Sequence, residues 1–123
     1  MRLIIGGYAQ GKEEYAKELF PDYEIVEKPA CGRNGVIFIR FHKWFYKELE
    51  KKTEISLIKE QINQMLASCQ DVVIVCDEVG NGIVPMKEEE RFYREQLGRL
   101  LTELAKKADT VERILCKIPM KLK

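Results

Sequence analysis

The run Gly6-Gly7-Tyr8-Ala9-Gln10-Gly11-Lys12-Glu13 follows the spacing G-x-x-x-x-G-K, the pattern of a loop that cradles phosphate. Glycines let the backbone curl so that successive N–H groups point inward, and the helix that follows adds its positive end. Lys12 then reaches the outer phosphates as a compact charge. Gly6 through Glu13 are therefore the candidate nucleotide-binding residues. The pattern ordinarily continues with a Ser or Thr whose hydroxyl ligates Mg²⁺, but this chain has Glu13. A carboxylate can hold Mg²⁺, yet its charge also repels the phosphates beside it. A second candidate feature is Asp77-Glu78, directly after the apolar run Val72–Cys76. A carboxylate at the end of a buried strand can hold Mg²⁺, and its neighbour can orient or deprotonate a nucleophile. Lys12, Asp77 and Glu78 are the catalytic candidates, with Asp77 and Glu13 as the Mg²⁺ candidates. His42, the only histidine, reads either as a nucleophile or acid/base group or as a packing residue. Lys117 and Lys121 belong to a basic tail that is either a solvated end or a pair of cations for an anionic ligand.

These residues need elements to place them. Arg2–Ile5 is an apolar strand, and Glu13–Phe20 has helical character. Tyr23–Glu27 alternates as a short strand, Lys28–Gly35 is a loop, and Val36–Phe41 is the next strand, feeding a helix that carries Trp44, Phe45, Tyr46 and Leu49. Thr53 is a candidate cap for a helix whose apolar positions, Ile55, Ile58, Ile62, Met65, Leu66 and Cys69, recur every three or four residues. Val72–Cys76 is a continuous β-branched run of the kind found inside a parallel sheet. Lys87–Lys107 is a long helix with Tyr93, Leu97, Leu100, Leu101, Leu104 and Ala108 on one side, and Val111–Cys116 is a last strand before the tail Lys117–Lys123. Strands alternating with helices predict a three-layer α/β fold with a mostly parallel sheet. The carboxyl edge of that sheet would gather the Gly6–Lys12 loop and Asp77-Glu78 into one crevice.

The 123 residues suit one domain, 1–123, and the formal net charge of +1 gives no global field toward nucleic acid. No apolar run nears the ~20 residues a membrane span requires, so the expectation is a cytoplasmic protein with neither membrane nor nucleic-acid partner. The four cysteines lack C-x-x-C spacing, which argues against zinc and for buried free thiols.

Beyond these readings, Glu78-Val79-Gly80-Asn81-Gly82-Ile83-Val84-Pro85 resembles the E-V-G-x-G-I-V-P signature of the adenosylcobinamide kinase / adenosylcobinamide-phosphate guanylyltransferase family. Arg91-Phe92-Tyr93-Arg94, Gly98-Arg99 and Ile118–Lys123 are similar to further segments of that family. Trp44 and the Gly6–Lys12 loop also fall where it has counterparts. The resemblance implies a phosphate-loop fold, GTP or ATP with Mg²⁺ as cofactors, and a homo-oligomer, often a trimer. It also implies cobalamin biosynthesis: phosphorylation of a corrinoid alcohol, then guanylyl transfer through a histidine. Glu78, Val79, Gly80, Gly82 and Pro85 become substrate- or signature-loop candidates. Several positions depart from the family pattern. The segment carrying the nucleophilic histidine is reduced to about Pro29–Gly35, Ile39 stands in place of an acidic residue, and Leu101-Thr102 replaces a polar pair. Asp77 stands where the family usually has Asn. The resemblance thus favours kinase-type phosphoryl transfer over guanylyl transfer. The alternative is a catalytically silent paralogue acting as a binding or regulatory subunit.

Overall fold

The structure, a computed structural model, describes residues 1–78 and 87–123. In chain order the elements are β1 (Arg2–Gly6), α1 (Lys12–Leu19), β2 (Glu24–Val26), β3 (Gly35–Phe38), α2 (Phe41–Glu50), α3 (Ile55–Ser68), β4 (Asp71–Asp77), α4 (Glu88–Lys107), β5 (Thr110–Leu115) and β6 (Ile118–Lys121). One sheet is formed, in the order β2-β3-β4-β1-β5-β6. All pairings through β5 are parallel, and β6 is antiparallel to β5. This is the expected mostly parallel three-layer arrangement.

Alternation along each strand sorts side chains onto the two faces. Leu3, Val72, Ile74 and Cys76 join Ile58, Ile62, Leu97 and Leu104 in the layer beneath α2, α3 and α4. Ile4, Ile37, Val73, Val75 and Ile114 pack with Ala16 beneath α1. The central strands are thus buried on both faces, which is why Val72–Cys76 reads as an unbroken apolar run. Phe41, Trp44 and Phe45 of α2 seal one layer with Phe38, whose ring lies 5.3 Å from Phe41 and 5.5 Å from Trp44.

The segment joining β2 to β3 contains no helix, although parallel neighbours are usually connected by one. It returns along the amino ends of the strands instead. Gln70 and Asp71 donate their N–H groups to the carbonyls of Arg33 and Asn34 at 3.1 and 2.9 Å, and Gly32 N–H donates to Ser68 Oγ at 3.0 Å. The far side of the sheet is tied by Glu112 of β5, which pairs with Arg2 and accepts from the Tyr15 hydroxyl. Burial and that carboxylate push the Tyr15 hydroxyl up to about 12.

Several expectations are corrected. The strand expected over Val36–Phe41 ends at Phe38, because Arg40 takes a left-handed conformation (φ 52°) that turns the chain into α2. Phe41, expected as the strand's end, is the first residue of α2 and fully buried. Thr53 is not a helix cap: Glu54 occupies that position without a side-chain bond, and the Thr53 hydroxyl donates to Glu48 at 2.8 Å. The tail beyond Lys117 is exposed, as a solvated end would be, but Ile118–Lys121 form strand β6. Cys69 and Cys76 are buried free thiols, whereas Cys31 and Cys116 are exposed. Burial raises the Cys76 thiol far above its usual range.

Phe38→Ala empties the middle of the aromatic cluster. We expect a loss of about 3–5 kcal/mol, measured as a lower urea midpoint at unchanged slope.

Candidate functional site

The chain leaves β1 at Gly6 and must enter α1 at Lys12 within five residues. Ala9 (φ 57°) and Gly11 (φ 88°) both adopt the left-handed conformation that this reversal needs. Gly6 has no room for a side chain, since a Cβ there would lie 2.6 Å from the carbonyl oxygen of Ile114. Gln10 anchors the loop. Its side-chain oxygen accepts from Cys116 N–H at 2.6 Å, and its carbonyl accepts from Lys117 N–H at 3.0 Å. Tyr8, at the loop's tip, points its side chain into solvent.

Lys12 folds back over this loop and is only 6% exposed. Its ammonium donates to the Gly7 carbonyl at 2.6 Å and pairs with Asp77 Oδ1 at 2.7 Å. Asp77 ends β4, in register with Gly6, and Glu78 N–H extends the pairing to the Gly6 carbonyl at 2.7 Å. The loop lysine and the strand-end carboxylate therefore share one crevice, as the sheet-edge argument expects.

His42 is the second residue of α2 and joins this pair. Asp77 N–H donates to His42 Nδ1 at 3.1 Å, and Nε2 lies 3.3 Å from Asp77 Oδ2. Acceptance at Nδ1 places the neutral ring's proton on Nε2. Burial is the main force pushing the His42 pKa below 6.5, and the Lys12 charge adds to it against the pull of Asp77. Tyr93 of α4 donates its hydroxyl to the His42 carbonyl at 3.0 Å, fixing the start of α2 from above.

The crevice has a volume of about 400 Å³ and runs from the Gly6–Lys12 loop to α2 and to the turn between β5 and β6. Its cationic side chains are Lys12, Arg40, Lys43 and Lys117, facing the carboxylates Glu13, Glu14 and Asp77. Glu13 is not an isolated negative charge. Arg40 Nε lies 3.2 Å from it and also binds Glu27 at 2.6 Å. Glu78 lies outside the crevice lining, where Arg113 of β5 holds it at 2.9 Å. Lys121 lies on β6, also outside the lining. The signature-loop candidates Val79, Gly80, Gly82 and Pro85 fall outside the described residues.

Among the described residues no three His, Cys, Asp or Glu side chains cluster as a ready-made metal cage. Asp77 and Glu13 nonetheless offer hard oxygen donors in one crevice. That suits Mg²⁺, which typically takes one or two carboxylates beside phosphate oxygens and water. Sequence reasoning misses Arg40, Lys43 and Arg113. Arg40 looks like a strand residue in its local context, and the Glu78–Arg113 pair spans 35 positions.

The fold and crevice define an α/β protein of the P-loop NTPase type. The profile of the family described as "Cobinamide kinase / cobinamide phosphate guanyltransferase" matches residues 34–122, and the chain belongs to that family. The Gly6–Lys12 loop lies ahead of the matched residues. The chain is 35% identical over 85 residues to the bifunctional adenosylcobalamin biosynthesis protein CobU of Salmonella typhimurium, covering 66% of this chain and 44% of that protein. It is 34% identical over 85 residues to the protein of the same name from Escherichia coli, with the same coverage. The chain thus spans less than half the length of the curated relatives it matches. No helix among the described residues is long and apolar enough to cross a membrane.

The depressed His42 pKa has a defined consequence for stability. Unfolded histidine takes up its proton near 6.5, above the folded value, so acid favours the unfolded chain. The contribution is complete above about pH 6.5 and is lost as pH falls through the folded value. Thermal unfolding from pH 7.5 to 5 is expected to fall more steeply for the native chain than for His42→Asn. Parallel curves would mean that His42 does not titrate on unfolding.

Proposed function

We propose that this crevice binds the phosphates of GTP or ATP with Mg²⁺ and supports phosphoryl transfer to a corrinoid alcohol. The observation that carries the reading is Lys12, buried at the foot of a phosphate-type loop and held ready by Asp77 at 2.7 Å. Phosphoryl transfer depends mostly on positioning and charge neutralisation, and Lys12, the loop N–H groups and the start of α1 supply both. Asp77 and Glu13 would hold Mg²⁺, in place of their present partners Lys12 and Arg40. A bound Mg²⁺ would neutralise phosphate charge. Glu78 sits at the same sheet edge and would orient the acceptor hydroxyl once released from Arg113.

Guanylyl transfer through a histidine is disfavoured by the ring environment. His42 is the chain's only histidine, its Nδ1 lone pair is used by Asp77 N–H, and its Nε2 faces the same aspartate. The ring lines the crevice, but both of its nitrogens are engaged by Asp77. The alternative, a catalytically silent binding or regulatory subunit, draws support from the engagement of both candidate metal ligands with cations, Asp77 with Lys12 and Glu13 with Arg40.

Calorimetric titration with GTP and ATP, with and without Mg²⁺, tests the proposal. Micromolar, Mg²⁺-dependent binding is expected, weakened at least about tenfold by Lys12→Ala without a change in circular dichroism. Asp77→Asn releases Lys12 while removing a metal ligand, so Mg²⁺-free binding should tighten and the Mg²⁺ dependence should shrink. Absence of nucleotide binding under every condition would overturn the reading. Binding without turnover on any corrinoid acceptor would favour the silent subunit.

A further inference from the structure

The C-terminal hairpin forms one wall of the crevice. Strands β5 and β6 are joined by the two-residue turn Cys116-Lys117, with φ values of 50° and 63°. Positive φ at both central residues is the signature of the primed turn that suits a twisted hairpin, although glycine or asparagine usually occupies such positions. A lysine held in this conformation puts its side chain where few alternatives would put it. The Lys117 stem lies flat on the phosphate-type loop, with Cγ only 2.7 Å from where a Gly11 Cβ would stand. Its N–H meanwhile holds the Gln10 carbonyl at 3.0 Å.

Charge pairing sharpens the point. Of the crevice cations, Lys12 is matched by Asp77 and Arg40 by Glu13 and Glu27. Lys117 has no carboxylate partner among the described residues. Glu14, whose carboxylate flanks the same glycine, makes no ion pair with it. An anion entering the crevice therefore meets one cation already neutralised at the bottom of the loop and two unpaired among the described residues, Lys117 against the loop and Lys43 on α2.

Resting on the phosphate-binding reading of the crevice, we propose that Lys117 is a second ligand for the phosphate chain of a bound nucleoside polyphosphate. The loop is thus clamped between Lys12 from α1 and Lys117 from the C-terminal hairpin. Lys117 takes the phosphates without having to give up an existing ion pair, and its stem, already packed on Gly11, has less rotamer freedom to lose on binding.

The test is titration with inorganic tripolyphosphate and with GTP and ATP at two salt concentrations. Lys117→Gly removes the charge while suiting the left-handed backbone, so any loss of affinity cannot come from a strained turn. Lys117→Gly is expected to weaken binding about tenfold and to flatten the salt dependence. Lys117→Arg should remain within about threefold of the native chain, since its charge persists. Lys121→Ala, on β6 outside the crevice, controls for general surface charge and should change nothing. Native-like affinity in Lys117→Gly, with Lys12→Ala still defective, overturns this proposal and leaves the nucleotide reading intact. Lys117-dependent binding of tripolyphosphate without any nucleotide binding keeps the anchor and overturns the nucleotide reading. Binding of neither overturns both.

Discussion

The ion pair between Lys12 and Asp77 is the constraint on which the rest of the crevice depends. A lysine only 6% exposed has lost most of its water and needs other partners in its place. Asp77 Oδ1 and the Gly7 carbonyl are those partners. Asp77 is in place only because β4 and β1 are parallel and in register at Gly6. The pair therefore converts sheet register into the position of the loop's lysine. His42 and Tyr93 extend the same constraint to α2 and α4, so helices from one side of the sheet are tied to a loop that begins a helix on the other.

That arrangement also sets the terms on which a ligand can enter. Phosphate must compete with Asp77 for Lys12 unless a divalent ion draws the carboxylate away, and the Glu13–Arg40 pair imposes the same choice at the opening of α1. The family to which the chain belongs is described by a kinase and guanyltransferase activity. In this chain the crevice pairs Lys12 with Asp77 and Arg40 with Glu13, while Lys43 and Lys117 carry no ion pair among the described residues.

The elements closest to the chemistry are those most legible in the sequence. G-x-x-x-x-G-K after an apolar strand identifies β1, its loop and α1, and the run Val72–Cys76 identifies β4, because its shortness and β-branched content favour a strand buried on both faces. Parallel pairing then brings Lys12 and Asp77 together without knowledge of any coordinate. What escapes is set by conformation or distance. Arg40 and Lys117 are non-glycine residues in left-handed backbone, so no glycine marks where the chain turns. Strand β6 is hidden for that reason. The Glu13–Arg40 and Glu78–Arg113 pairs join residues 27 and 35 positions apart, beyond the reach of any local pattern.

The hairpin that closes the sheet also shapes its outer edge. Leu115 and Ile118 flank the two-residue turn as a hydrogen-bonded pair, so the next pair, Ile114 and Pro119, is of the other type. At such a position the strand residue's N–H would face away from its partner. Proline leaves that outward site without a donor, and Lys121 follows it along the same strand. The outer rim of β6 therefore offers a broken ladder to any further strand. Ile118, Met120 and Leu122 are exposed there, yet the backbone beside them cannot support regular pairing. The same tight turn that brings Lys117 to the loop thus starts a strand whose free edge resists edge-to-edge aggregation.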